Sequence, residues 1–220
     1  MKVVIQCCSR KLDGAGRLTN DRGDPFDFVA HPALISTLNS SDRFARPDDQ
    51  REPSRQESWR EYLIRSTANG QNPDRLVRAG DLYTPPAYRA IVNSYGWENV
   101  FILSAGWGLV RSDFLLPMYD ITFSAAAEQC NRRKTRDEYQ DFNHLLDIVL
   151  SHDEPVHFFG GNDYLQLYYT MIENIDANHI IHYAKGGGIT QRDKYSYFKY
   201  RDRSFTNWHY SCVLDFIASK

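Results

Sequence analysis

Short apolar runs alternate with amphipathic stretches along most of the chain, and this alternation predicts an α/β fold. Runs of about five apolar residues between polar ones are typical of buried strands. Such runs occupy residues 3–7, 100–104, 156–159 and 179–183. Strands separated by helical stretches favour a single α/β domain with a mostly parallel sheet flanked by helices.

Apolar residues at helical spacing predict the intervening helices. These predicted helices cover residues 54–66, a stretch from Thr84 to a stop at Gly96, a stretch from Tyr164 to Ile175, and residues 207–218. A further amphipathic helix is predicted over residues 137–150, where an apolar stripe comprises Phe142, Leu145, Leu146, Val149 and Leu150.

Residues 13–55 are rich in Gly, Asp, Asn, Arg, Ser and Pro. They predict a long loop that either covers a functional site or is a disordered insertion.

Composition and charge exclude some classes of protein. An apolar share of 42% is enough for a core, so the chain is not wholly disordered. With 26 Lys and Arg against 28 Asp and Glu, it does not resemble a protein that simply coats nucleic acid, although a local basic groove stays compatible. We expect a cytoplasmic protein without a membrane partner, because no apolar run is long enough to span a bilayer and the first residues lack a signal-peptide pattern.

The motifs give no positive support for a metal or a cofactor. The four cysteines lack CxxC spacing, and the histidines lack the spacing of a zinc motif. Neither a dinucleotide fingerprint nor a phosphate loop is present. We therefore expect free thiols, no metal and no NAD or ATP.

Three predicted strands end in polar or glycine-rich tails. These tails are Cys-Cys-Ser-Arg-Lys at 7–11, Ser-Ala-Gly-Trp-Gly at 104–108, and Gly-Gly-Asn-Asp-Tyr at 160–164. The carboxyl ends of parallel strands meet at one edge of a sheet, where open α/β folds bind ligands. The sequence therefore predicts a pocket for a small molecule at this edge.

Four residues are candidates for catalysis, namely Cys7, Cys8, Lys11 and Asp120. Cys7 and Cys8 lie beside Arg10 and Lys11, and positive charge favours the nucleophilic thiolate. Strand alternation sends the two thiols to opposite faces, so one of them is expected to be a small buried hydrophobe. Asp120 lies in an apolar stretch, where loss of hydration would suit a general acid or base. The alternative is a carboxylate of a turn, or a structural ion pair with Arg10 or Lys11.

Glycines and a basic, aromatic segment offer further candidates. Gly106 and Gly108 either allow a ligand close to the backbone or form a tight turn, and the triplet 186–188 is either an anion site or a link. Residues 194–210 interleave aromatics with Lys194, Lys199, Arg201 and Arg203. This segment is either a surface that binds nucleic acid or an ordinary edge hairpin.

The order of the motifs resembles the YaaA-like superfamily. The central segment runs from Ile102-Leu103-Ser104-Ala105-Gly106-Trp107-Gly108-Leu109-Val110 through Asp113 to Pro117-Met118-Tyr119-Asp120. Gly160-Gly161-Asn162-Asp163-Tyr164 is similar to a later Asn-containing element of that family, and Cys7-Cys8-Ser9-Arg10-Lys11 is similar to the Cys-Ser-x-x-Lys opening of a small branch. The resemblance implies an α/β protein connected with nucleic-acid protection or modification, including 7-deazaguanine chemistry.

The leading hypothesis is an enzyme that acts on a nucleobase or modified nucleotide, free or in nucleic acid. Trp107 and Tyr119 would stack the base, and Asn162 would recognise its edge. The other expected substrate contacts are Ser9, Arg10, Ser104, Gly106, Gly108, Gly161 and Tyr164.

Two reactions stay open. In nitrile hydration a thiol of Cys7 or Cys8 adds to the carbon and Lys11 stabilises the developing charge; in glycosidic cleavage Asp120 acts without a thiol.

Two rival hypotheses remain. One is a non-catalytic DNA- or RNA-binding protein of stress response or phage defence that uses the segment 194–210. The other is a hydrolase or transferase of free nucleosides, which would need no polymer.

Overall fold

The structure is a computed structural model that describes residues 1–35, 43–53, 56–184, 189, 191–201 and 207–219, with only the backbone described at residue 69. Its main feature is a sheet of seven described strands in the order β12-β11-β10-β1-β5-β6-β9. The strands are β1 (Lys2–Gln6), β5 (Val100–Ser104), β6 (Gly108–Arg111), β9 (Phe142–Asn143), β10 (Pro155–Phe159), β11 (Asn178–Ala184) and β12 (Ser196–Arg201). All neighbours are parallel except β5 and β6, so the predicted, mostly parallel α/β fold is confirmed.

The central strands are apolar because both faces of the sheet are covered. Val3, Val4 and Ile5 of β1 are fully buried, as are all five residues of β5, which is the pattern of a parallel sheet with helices on both sides. The helices of the described residues are α1 (Trp59–Thr67), α2 (Ala79–Leu82), α3 (Pro86–Tyr95), α4 (Asn162–Ile172) and α5 (Trp208–Ala218).

The ends of two helices follow from their sequences. Ser58 and Glu61 form a capping box at the start of α1, which satisfies backbone N–H groups that the helix leaves free. The predicted start at residue 54 lies outside the described residues, and α1 begins at Trp59. Gly96 ends α3 as predicted, with a φ of 83° that favours glycine. The helix begins at Pro86, two residues after the predicted start at Thr84, and Pro85 occupies the N-cap position without a side-chain hydrogen bond.

The segment 13–55 contributes two short strands where it is described. Its strands β2 (Asp27–Val29) and β3 (Phe44–Ala45) form a small sheet with β8 (Tyr119–Asp120). Phe28 is fully buried and packs edge-on against Trp59 and Trp107, which attaches the segment to the core. A second small sheet pairs β4 (Val77–Arg78) with β7 (Leu115–Leu116).

The predicted helix over residues 137–150 is wrong. This stretch contains the short strand β9, which pairs with β6 at the edge of the main sheet. The N–H groups of Phe142 and His144 donate to the carbonyls of Trp107 and Leu109, at 3.0 and 2.8 Å. Val149 of the expected apolar stripe is 99% exposed. Pairing with the open edge of β6 therefore replaces the helical hydrogen bonds.

Of the two alternatives for residues 194–210, the described part favours an edge strand, although this strand pairs in parallel and not as a hairpin. Strand β12 lies at one end of the main sheet and runs parallel to β11. Tyr195, just before it, is buried, and the Tyr197 hydroxyl lies 2.7 Å from that of Tyr169. Because β12 is parallel to β1 and β10, its C-terminal end lies at the same edge of the sheet as the C-terminal ends of those strands.

Candidate functional site

A cavity opens at the carboxyl ends of the central parallel strands. The tails after β1 and β10 meet there, as predicted, because these two strands are neighbours in the sheet. The cavity has a volume of about 970 Å³, which is in the range of small-molecule sites. Its lining includes Gln6, Cys7, Cys8, Ser9, Asp120, Thr122, Glu128, Asn131, Gly161, Asp163, Tyr164, Trp208, His209 and Tyr210. We call it the cysteine cavity.

The two adjacent thiols of this cavity have different surroundings. Cys7 is 2% exposed, and its Sγ lies 3.3 Å from the hydroxyl oxygen of Tyr164. Cys8 is half-buried, and its thiol donates to the carbonyl of Arg10 at 3.2 Å. Burial raises the pKa of the Cys8 thiol, although hydrogen bonds from Tyr210 and Tyr88 oppose the shift. The expectation that the adjacent cations activate Cys8 by lowering its pKa is therefore wrong.

Lys11 lies between the thiols and a second cavity. Its Nζ donates to the carbonyl of Cys8 at 3.2 Å and lies 4.2 Å from the ring centroid of Tyr119. Burial lowers the pKa of Lys11, while Cys7, Asp120 and Cys8 oppose the shift. The second cavity, of about 530 Å³, is lined by Lys11 and shares Ser9, Asp120, Glu128 and Asn131 with the cysteine cavity. Asp27, Val29, Ile35 and Phe44 of the segment 13–55 also line it.

A group of buried hydroxyls lies beneath the thiols. The Tyr119 hydroxyl lies 2.6 Å from that of Tyr83 and accepts from Ser104 at 2.8 Å. Burial raises the pKa of Tyr83, Tyr119 and Tyr164 well above that of a free tyrosine, so all three stay protonated at neutral pH. Ser104 is fully buried, and it fixes Tyr119 rather than contacting a ligand.

Asp120 lies at the junction of the two cavities. Its side chain is exposed, and its Oδ2 accepts from the Asn131 side chain at 2.7 Å. The predicted loss of hydration at Asp120 is therefore wrong. The group that binds this carboxylate is the side-chain amide of Asn131. An exposed, oriented carboxylate at a cavity mouth can still take a proton from water or a ligand.

The turn after β5 is a structural element, not a ligand site. Trp107 is fully buried, so the prediction that it stacks a base is wrong. The Ser104 hydroxyl accepts from the N–H groups of Gly106 and Trp107 at 3.2 and 3.1 Å. Two buried arginines bind the carbonyls: Arg60 donates to Gly106 and Trp107, at 3.0 and 3.1 Å, and Arg133 donates to Ala105 at 2.8 Å.

Packing requires a glycine at position 108 and leaves little room for a Cβ at position 106. Gly108 has a φ of 86°, and a Cβ there would lie 2.4 Å from the carbonyl oxygen of Phe142. A Cβ on Gly106 would lie 3.0 Å from Ile121. Neither glycine lines the cysteine cavity, so the prediction that they admit a base to the backbone is wrong and the tight-turn alternative holds.

The remaining predicted contacts divide into two groups. Ser9, Gly161 and Tyr164 line the cysteine cavity, and the Gly161 N–H donates to Gln6 at 2.6 Å. Asn162, at the start of α4, is exposed and lines a smaller cavity of about 210 Å³ instead. Arg10 is exposed, and it lines neither the cysteine cavity nor the second cavity.

Sequence reasoning missed the contribution of α5. His209 and Tyr210 line the cysteine cavity, although they are about 200 residues from Cys8 along the chain. The predicted parallel strands did carry a signal for this contribution, because a helix that follows a parallel strand begins at the carboxyl edge of the sheet. Burial lowers the pKa of His209 to about 4, so this imidazole is neutral at pH 7.

The basic side chains near β12 have protein partners where the structure describes them. Lys194 donates to the carbonyl of Glu173 at 3.4 Å, and Arg201 pairs with Asp215 at 3.4 Å. Lys199 is exposed. Arg203 and the glycine triplet 186–188 lie outside the described residues.

Comparisons with models of protein families, with curated proteins and with solved structures find no match. Over the described part of the chain, no group of three or more His, Cys, Asp and Glu side chains is arranged to hold a metal ion. None of the described helices combines the length and the apolar character needed to cross a bilayer.

Proposed function

We propose that this protein is an enzyme that acts on a nucleobase or a modified nucleotide bound in the cysteine cavity. The observation that carries the proposal is the meeting of two thiols and the Asp120 carboxylate around one opening of about 970 Å³, with the Lys11 ammonium against the Cys8 carbonyl in the adjoining second cavity. Nucleophile, charge stabiliser and acid–base group are the parts that addition to an unsaturated carbon requires. The nucleobase class comes from the resemblance to YaaA-like proteins.

The contacts that hold the base differ from those the sequence alone indicates. Tyr210 is half-buried and lines the cavity, so it replaces Trp107 as the aromatic face against which a ring packs. Ser9 and Thr122 line the same cavity and supply hydroxyls for hydrogen bonds to the edge of the base. Tyr119 is 2% exposed; in this proposal it supports Lys11 through its ring.

In the nitrile version of the reaction, a thiol of Cys7 or Cys8 adds across the carbon–nitrogen triple bond. Sulfur bonds to carbon and the thiol proton passes to nitrogen, while Lys11 stabilises the charge that develops there. Asp120 then guides a water molecule onto the same carbon, and one water proton completes an amino group on nitrogen. The carbon–sulfur bond then breaks, the cysteine sulfur takes up the proton of the hydroxyl group, and the amide remains. The net reaction consumes one water.

In the glycosidic version, Asp120 deprotonates the water that attacks the sugar carbon, and the base leaves with its bonding electron pair and takes up a proton. This version needs no thiol. A base within duplex DNA would have to be flipped out in either case.

Mutagenesis separates the two versions. Replacing Cys7 and Cys8 together by Ser should abolish nitrile hydration and leave glycosidic cleavage largely intact, while Asp120→Asn should damage both. Cys212→Ser is the matched control, because Cys212 is a buried thiol of α5 that does not line the cavity. Hydration that survives in the double variant rejects the covalent route. Salt-sensitive binding to nucleic acid without any turnover would instead favour the non-catalytic rival.

A further inference from the structure

The mouth of the cysteine cavity is acidic. Asp120, Glu128 and Asp163 line it, and all three side chains are exposed. Among the described residues that line this cavity, none is a lysine or an arginine. Lys11 lines the second cavity instead and directs its ammonium to the Cys8 carbonyl and the Tyr119 ring. The carboxylates of the mouth therefore face the entering ligand without a lining cation.

A neutral hydrogen-bonding group lies in the same cavity wall. His209 is 4% exposed, and its Nε2 has no hydrogen-bond partner among the described residues. A buried polar atom without a partner is costly in a folded protein. Because the imidazole is uncharged at pH 7, it adds no attraction for a phosphate.

We propose that the cysteine cavity takes an uncharged or cationic heterocycle, as a free base or a nucleoside, and rejects the same group when it carries phosphate. Like charges repel more strongly in a partly dehydrated cleft than in water. Three carboxylates at the opening would repel every phosphate that enters together with its base. Nucleic acid carries such phosphates on both sides of each base, so this inference favours free substrates over a base in DNA or RNA. It rests on the proposed function only for the identity of the heterocycle.

The charge preference can be tested on the thiol itself, without any substrate. Two methanethiosulfonate reagents of similar size, one with a trimethylammonium group and one with a sulfonate, each form a disulfide with a cysteine and release methanesulfinate. Their rates at Cys8 are measured by peptide mass spectrometry and divided by their rates at a short unstructured peptide with one cysteine. We expect the corrected preference for the cationic reagent to be about tenfold at low ionic strength, and to shrink in 1 M salt.

Two variants define the control. Glu128→Gln combined with Asp163→Asn should remove most of the preference, whereas Asp153→Asn should leave it unchanged. Asp153 is exposed and precedes β10, so it lies at the opposite edge of the sheet. A corrected preference near one, or a preference for the sulfonate, would overturn the inference. Failure of the proposed function has a different signature, namely that no base or nucleoside is converted or protects Cys8 while the charge preference persists.

Discussion

The buried ion pair beneath the turn after β5 gives the strongest stability prediction. Arg133 donates to both carboxylate oxygens of Asp141, at 3.0 and 2.6 Å, and each side chain is 6% exposed. Arg133→Met keeps an apolar stem of similar length but leaves the Asp141 carboxylate and the Ala105 carbonyl without this donor. Breaking a buried pair in this way costs about 3–5 kcal/mol. For a chain of this size, that loss lowers the melting temperature by roughly 6–20 °C.

The assay is the free energy of unfolding from urea titration at pH 7.5 and at pH 5. Burial raises the pKa of Asp141 even with Arg133 present, so removal of the cation should raise it further. The folded variant then takes up a proton more readily than the unfolded chain as the pH falls, and its deficit relative to the wild type should shrink. Protonation of the carboxyl relieves the cost of burying its charge.

An exposed pair with two hydrogen bonds is the control. Arg65 donates to both carboxylate oxygens of Glu57, at 2.6 and 2.9 Å, but the Arg65 side chain is 56% exposed. Arg65→Met should cost at most about 1 kcal/mol, because solvent screens the pair. Equal losses in the two variants, or a deficit of Arg133→Met that does not change with pH, would refute the argument from burial.

Two further predictions concern titration and access. Burial lowers the pKa of His182 to about 3 and that of His209 to about 4, so the unfolded chain binds protons below pH 6.5 that the folded chain does not. As the pH falls from 6.5 to its folded pKa, each histidine should therefore reduce the free energy of unfolding by about 1.4 kcal/mol per pH unit. Urea titrations of His182→Gln should show a dependence of this free energy on pH that is smaller by that amount. An unchanged dependence would contradict the prediction. Iodoacetamide should modify Cys8 much faster than Cys7, which is 2% exposed, and peptide mass spectrometry showing equal rates would contradict the assigned burial.

The fold was largely predictable because buried strands have a strong local signal. The apolar runs around Val3, Val100, Val156 and His179 all form strands of the main sheet. The stretch 137–150 was not predictable, since its helical stripe competes with pairing to the open edge of β6, and a local pattern does not show that edge. Tertiary contacts decided the outcome.

The site was predictable only in part. The meeting of Cys7, Gly161 and Tyr164 at one cavity followed from parallel strand order. The burial of Trp107 depends on Arg60, which lies 47 residues earlier and donates to its carbonyl. A contact over that distance has no signature in the sequence, so a glycine-flanked aromatic resembled a ligand loop.

The central claim is that the cysteine cavity binds and converts a nucleobase. The most direct measurement is mass spectrometry of a 7-deazaguanine-type nitrile, and of the corresponding nucleosides, after incubation with the wild-type protein and with Asp120→Asn. The account predicts that the wild type adds one water to the nitrile or releases the base from its sugar, and that Asp120→Asn does so much more slowly. Recovery of every compound unchanged from the wild-type protein would contradict the account.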